Sequence, residues 1–272
     1  MKIRVIAAFA LLPALLIIVL VLPKFLTAVL FGVLGAIAAY ELLLGTGLVT
    51  QPRLVAYAMI MAFMVAVLSY YGLPYAWGLL GLLLFTGLLF MEMMVSHIKL
   101  PFDRIMVCFA AGILIPYLFN SLVRIQAVDG TGRFFVMIPF ILAFLSDSGA
   151  YFVGRFLGKH KLAPVISPNK TIEGAFGGIV SAVLGMLVYA LVLNVAFRFQ
   201  VDYFRAILYG ILGALGGMFG DLAFSVIKRQ TGIKDYGNLI PGHGGILDRF
   251  DSMMIVGPLS ELLLILMPLA VK

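Results

Sequence analysis

Gly174–Phe197, GAFGGIVSAVLGMLVYALVLNVAF, runs for 24 residues without a charged side chain. As an α-helix it would rise about 36 Å, enough to cross the roughly 30 Å hydrocarbon core of a bilayer. Polar interruptions divide the rest of the chain into comparable stretches. About nine spans are expected, at 5–22, 25–46, 54–71, 74–96, 102–122, 133–153, 174–197, 204–226 and 252–270. The 25–46 span reads as loosened by Gly32, Gly35 and Gly45. The first residues resemble a signal peptide, with Lys2 and Arg4 ahead of an apolar run, but no small-x-small cleavage site follows. They are read as a retained first helix.

Composition agrees. The 272 residues are 63% hydrophobic and 11% charged, with a mean hydropathy of +1.15, against about 45–50% and about 25% in soluble domains. The expected fold class is an all-α, polytopic helical integral membrane protein forming a single membrane domain over 1–272. Its N-terminal apolar helices occupy 1–122 and its chemistry-bearing half 133–272. The single cysteine, Cys108, excludes an internal disulfide and a multi-thiolate zinc site, and sits in an apolar run as a packing residue. The net charge of +7 points to positive-inside loops, not to nucleic acid, which is not an expected partner. With nine spans, 13 basic residues fall on the N-terminal side of the membrane and 6 on the other. That places the N-terminus, and both polar connections at 154–173 and 227–251, on the cytoplasmic face. Tyr70, Tyr71, Tyr75 and Trp77 read as an interfacial belt.

The second connection, with its flanks, is the densest in chemistry: SVIKRQTGIKDYGNLIPGHGGILDRFD, Ser225–Asp251. Asp221, Ser225 and Lys228 lie on one helical stripe. Asp221 sits in the apolar run MFGDLAFSVI and needs a metal ion, a basic partner, or a structural contact along its own helix to Ser225 or Lys228. Asp248 and Asp251, three apart, share a helix face. Gly242, Gly244 and Gly245, with His243 among them, let the backbone approach a ligand and offer N–H groups to anionic oxygens. Hard carboxylate oxygens without thiolates suit Mg²⁺.

The first connection reads SDSGAYFVGRFLGKHKLAPVISPNKTIEGAFGG from Ser146. Asp147, Tyr151 and Arg155 again form one stripe, followed by Lys159, His160, Lys161 and Lys170. GRFLGKH lacks both the spacing and the hydroxyl of a Walker loop. A positive-inside role for the lysines leaves Asp147 and Glu173 unaccounted for. Among the other acids in apolar runs, Glu41 and Glu92 read equally as structural or pocket-lining, and Glu261 as structural.

Ser225, Lys228, Arg229, Lys234, Asp235 and the run from Pro241 to Asp251 together resemble the signature of the phosphatidate cytidylyltransferases, bacterial type. DSGAYFVGR, GKHKL and SPNKTIEG are similar to that family's upstream block. The resemblance is specific in the C-terminal half and covers the N-terminal half as apolar spans. It implies transfer of a cytidylyl group from CTP to phosphatidate at the cytoplasmic face of the cell (inner) membrane, with Mg²⁺ alone or beside a second cation. It implies Asp221 and Asp248 as metal ligands, with Asp251 and Asp147 as further candidates. Lys228, Arg229 and Lys170 would neutralise phosphates, and Arg155 and Lys161 would contact CTP or phosphatidate. Ser225, Gly242, His243, Gly244, Gly245 and Arg249 complete the implied substrate contacts, and a homodimer is expected. The alternatives are a CTP-dependent enzyme acting on another lipid phosphate or alcohol, and a transporter using the buried acids.

Overall fold

The computed structural model describes residues 15–97, 99–239 and 244–271. The expected span at 5–22 therefore lies largely outside the described residues, as do Gly242 and His243. Seven helices among the described residues are long and apolar enough to cross a membrane: Lys24–Gly45, Pro52–Tyr70, Tyr75–Val95, Phe102–Ala127, Gly132–Leu157, Ile172–Phe197 and Tyr203–Gln230. The protein is thus an all-α, multi-pass membrane protein.

The expected span at 252–270 is helical over Met253–Leu266 alone, 14 residues, or about 21 Å of rise. Pro268 ends it, having no N–H to continue the helix. The backbone beyond is tied to the start of the Tyr203–Gln230 helix. The Tyr209 hydroxyl donates to the Met267 carbonyl (3.0 Å), Asp202 N–H to Leu269 O (3.0 Å), and Ala270–Val271 pairs antiparallel with Gln200–Val201.

The chain divides into two compact units, Met1–Phe134 with Gln230–Phe250, and Phe135–Arg229 with Asp251–Lys272. In the first, the Lys24–Tyr40 helix packs on Pro52–Tyr70. Gly32 does not loosen it. The helix runs through that position, and a Cβ there would meet the Phe63 ring at 2.8 Å, so the missing side chain is what lets the helices close. Phe119 bridges Phe31 (5.0 Å) and Phe250 (5.1 Å) in the core of this unit. Cys108 is buried, as a packing residue should be. Tyr71, Tyr75 and Trp77 are exposed around the turn between two spans.

In the second unit, Met137–Leu157 and Ile172–Phe197 lie against each other along a seam of small residues. Gly149 faces Ser181, Gly177 faces Val153 and Gly178 faces Ser146. In an apolar solvent, such close van der Waals approach is what holds helices together. Lys161–Ala163 and Ser167–Thr171 connect them as a short antiparallel hairpin. Thr171 then caps the following helix, its hydroxyl accepting from Gly174 N–H (3.1 Å).

Candidate active site

Several of the expected site residues fall in the second unit. There, the ends of three helices and the hairpin enclose a cavity of about 480 Å³. Asp147, Tyr151 and Arg155 come from the end of Met137–Leu157, and their four-residue spacing does put them on one face. Asn169 and Lys170 come from the hairpin, and Met218 and Asp221 from Tyr203–Gln230. Four of the expected site residues, Asp147, Arg155, Lys170 and Asp221, thus share one cavity.

Their partners refine the expected roles. Lys170 Nζ lies 2.5 Å from Asp221 Oδ2, each side chain about a quarter exposed. The basic partner that Asp221 needed is Lys170, 51 positions upstream, and the Ser225 hydroxyl donates to Asp221 Oδ1 at 3.3 Å. Arg155 Nη1 donates to the Tyr151 hydroxyl at 2.6 Å, which holds the guanidinium in place along its own helix. Arg229 Nε donates to Ile166 O (3.1 Å) and so fastens the turn of the hairpin. Lys161 sits exposed on the hairpin's first strand; its neighbour Leu162, not Lys161, lines the cavity. Glu173, unexplained by topology, accepts from the N–H groups of Lys159 (3.1 Å) and His160 (3.2 Å) and pairs with His160 Nδ1 (2.6 Å). It closes the base of the hairpin.

Asp251 adds a third acid to this neighbourhood. Burial pushes its carboxyl up to about 7, and the Asp221 and Asp147 carboxylates push the same way, against Ser252 N–H and Lys228. Ser252 N–H donates to Asp251 Oδ1 (2.8 Å), and the Ser252 hydroxyl to Asp147 Oδ2 (3.4 Å). Mutually repelling hard-oxygen donors with one acid reluctant to ionise fit the chemistry of a divalent cation such as Mg²⁺. No group of three or more His, Cys, Asp or Glu side chains stands in a metal-holding arrangement among the described residues. The fit is therefore to a cation carried by one or two of these carboxylates, with water and substrate oxygens completing its shell.

The described part of the glycine-rich segment, Gly244 and Gly245, belongs to the first unit. Gly245 N–H (3.0 Å) and Tyr236 N–H (2.8 Å) both donate to Asp248 Oδ2. Asp248 thereby ties Tyr236 to Gly245. Gly244, at φ +87°, occupies the left-handed region that favours glycine. Beside this segment lies Glu41, which the sequence left open between a structural and a pocket-lining role. Glu41 is 3% exposed, and its two oxygens accept from Ile246 N–H (3.0 Å) and Leu247 N–H (2.9 Å). An acid in an apolar run was the available signal, but nothing local could name a partner 205 positions away.

The sequence model of the cytidylyltransferase family matches residues 2–267, nearly the whole chain. The chain belongs to the cytidylyltransferase family. A phosphatidate cytidylyltransferase of Bacillus subtilis is 36% identical over 244 residues, 88% of each chain. Others, from Staphylococcus epidermidis and Staphylococcus haemolyticus, are 48% and 45% identical over 134 and 141 residues. In those two matches this cytidylyltransferase-family chain spans about half the length of the relative.

Proposed function

We propose that this protein is an enzyme that transfers the cytidylyl group of CTP to phosphatidate, giving CDP-diacylglycerol and pyrophosphate. A phosphate oxygen of phosphatidate attacks the α-phosphorus of CTP, the bond from that phosphorus to the β-phosphate bridge breaks, and pyrophosphate carries away the electron pair. The nucleophile is already ionised, so no strong general base is required. The barrier is repulsion between two anions, which positioned cations lower.

The observation that carries the reading is the cavity in the second unit, where Lys170, Arg155, Asp221 and Asp147 meet near a membrane-spanning bundle. Lys170 and Asp221 form an ion pair there. When an anionic substrate enters, the Lys170 ammonium turns from the carboxylate to the phosphate, and Asp221 is released for a cation. Arg155 adds a second positive group to the cavity lining, and Lys228 offsets the negative charge around Asp251. Mg²⁺, when bound, would neutralise phosphate oxygens and the developing charge on the leaving group. One or two of Asp221, Asp147 and Asp251 are its proposed holders. Asp248, implied as a ligand by the resemblance, is proposed to serve beside its two backbone bonds, and Arg229 and Arg249 as substrate contacts. A cell-membrane location, cytoplasmic N-terminus and loops, and a homodimer belong to the same proposal.

The test uses the purified protein in lipid nanodiscs with radiolabelled CTP. Organic-phase label should appear when phosphatidate and Mg²⁺ are both present and vanish when either is withheld. Equal labelling with diacylglycerol in place of phosphatidate would overturn the assignment.

A further inference from the structure

Glu41 does not line the cavity, yet its carboxylate bonds backbone more than 200 positions away. It stands where the Lys24–Tyr40 helix passes into the π-helical turn Glu41–Gly45. Both of its oxygens face backbone, one on Ile246 N–H and one on Leu247 N–H, 205 and 206 positions away. Those N–H groups open the four-residue helix Leu247–Phe250 and have no carbonyl of their own helix to bond. The loop is shaped around this carboxylate. A Cβ added at Gly237 or at Gly245 would collide with the Glu41 carboxylate, and one added at Gly45 would collide with the Tyr236 carbonyl. Three glycines at three separate positions therefore leave room for one acid and its neighbour.

We propose that Glu41 is a positioning residue for the backbone at Tyr236–Gly237 and Gly245–Phe250. Its buried carboxylate pins the backbone at Ile246 and Leu247, while Asp248 closes the same loop through Tyr236 and Gly245. The two acids act in sequence on one stretch of backbone. Glu41 sets where Ile246 and Leu247 sit on the N-terminal helices, and Asp248 joins Gly245 to Tyr236. Asp248 and Arg249 are thereby held at fixed places on a rigid support, as an active segment requires. The N-terminal helices then do more than anchor the protein in lipid. They supply the footing of the signature loop.

The link to turnover rests on the proposed cytidylyltransferase reaction; the clamp itself does not. The primary readout is therefore amide hydrogen exchange on the purified full-length protein. Glu41→Gln keeps one carbonyl acceptor but turns an amide donor towards the other N–H. Exchange across 244–250 should rise by about tenfold to about a hundredfold, the range for losing a hydrogen bond to a charged group, and Glu41→Ala should raise it further. Exchange in 172–197 should not change. With CTP as the varied substrate, kcat should fall by more than KM rises. Gly245→Ala, which pushes the carboxylate away from the other side, should reproduce the exchange pattern. Combined with Glu41→Ala it should add little, because the collision is gone. Unchanged exchange in 244–250 in Glu41→Gln, equal rises throughout the protein, or full additivity in the double variant would each overturn the clamp. Faster exchange with unchanged kcat would overturn its positioning role. If the wild type shows no CTP-dependent activity, the functional proposal fails, and the exchange data still decide the clamp.

Discussion

Replacing Lys170 by Gln removes one charge from the 2.5 Å pair with Asp221 and leaves the carboxylate with the Ser225 hydroxyl at 3.3 Å. Two unit charges 2.5 Å apart at an effective dielectric of 20 interact by about 7 kcal/mol before the cost of desolvation is counted. Net of desolvation, a hydrogen bond to a charged group contributes about 1.5–3 kcal/mol. Both side chains are about three-quarters covered, so solvent screening does not erase it. The proposed reaction adds a second consequence, because the same ammonium is to neutralise a substrate phosphate. Lys170→Gln should therefore lower kcat/KM for CTP by about tenfold to about 150-fold, and also lower the melting temperature in detergent. Asp221→Asn should likewise lower both. The double variant separates pairing from chemistry. With neither charge left stranded, its melting temperature should return towards wild type, while its turnover stays as low as the worse single variant. The assay is incorporation of radiolabelled CTP into lipid beside thermal unfolding of the same preparations. Near-wild-type turnover in Lys170→Gln, or turnover restored in the double variant, would refute the reasoning and reduce the pair to a structural contact.

Two further outcomes follow from the same geometry. Asp251 is held up to about 7 from an ordinary value of 3.8, so between those values the native state keeps a proton that the unfolded chain has released. Stability of metal-free protein should fall as pH rises through that window, and Asp251→Asn should flatten the fall; a wild-type melting temperature independent of pH between about 4 and about 7 would contradict the burial argument. In a Cys108-free background, single cysteines at Lys159 and at Asn238 should both react with impermeant reagent from the cytoplasmic side; labelling of either from outside would break the proposed orientation.

Much of the fold was legible because a membrane span is a local property. Seven apolar runs became helices within a few residues of their expected ends, and the run that fell short did so at Pro268, a residue whose effect on a helix is also local. Gly32 was misread because loosening and close packing leave the same letter in the sequence; what decides is the Phe63 ring across the interface. Within the site, Asp147, Tyr151 and Arg155 were placed on one face by spacing alone. Lys170 with Asp221, and Glu41 with Ile246 and Leu247, were not legible, since pairing between distant segments depends on which helices become neighbours. Asp248 was visible as an acid in the signature, but its use by backbone N–H groups depends on how the loop folds back, which glycines leave open by their freedom.

The most direct test of the account is the fate of each phosphate of CTP. Purified protein with phosphatidate and Mg²⁺ would be given CTP labelled at either the α- or the γ-phosphate. Cytidylyl transfer predicts that α-label enters the lipid phase, at the mobility of CDP-diacylglycerol, while γ-label leaves as pyrophosphate. Label passing to lipid from the γ-position and not from the α-position would mean that the enzyme is a CTP-dependent lipid kinase, and would contradict the central claim.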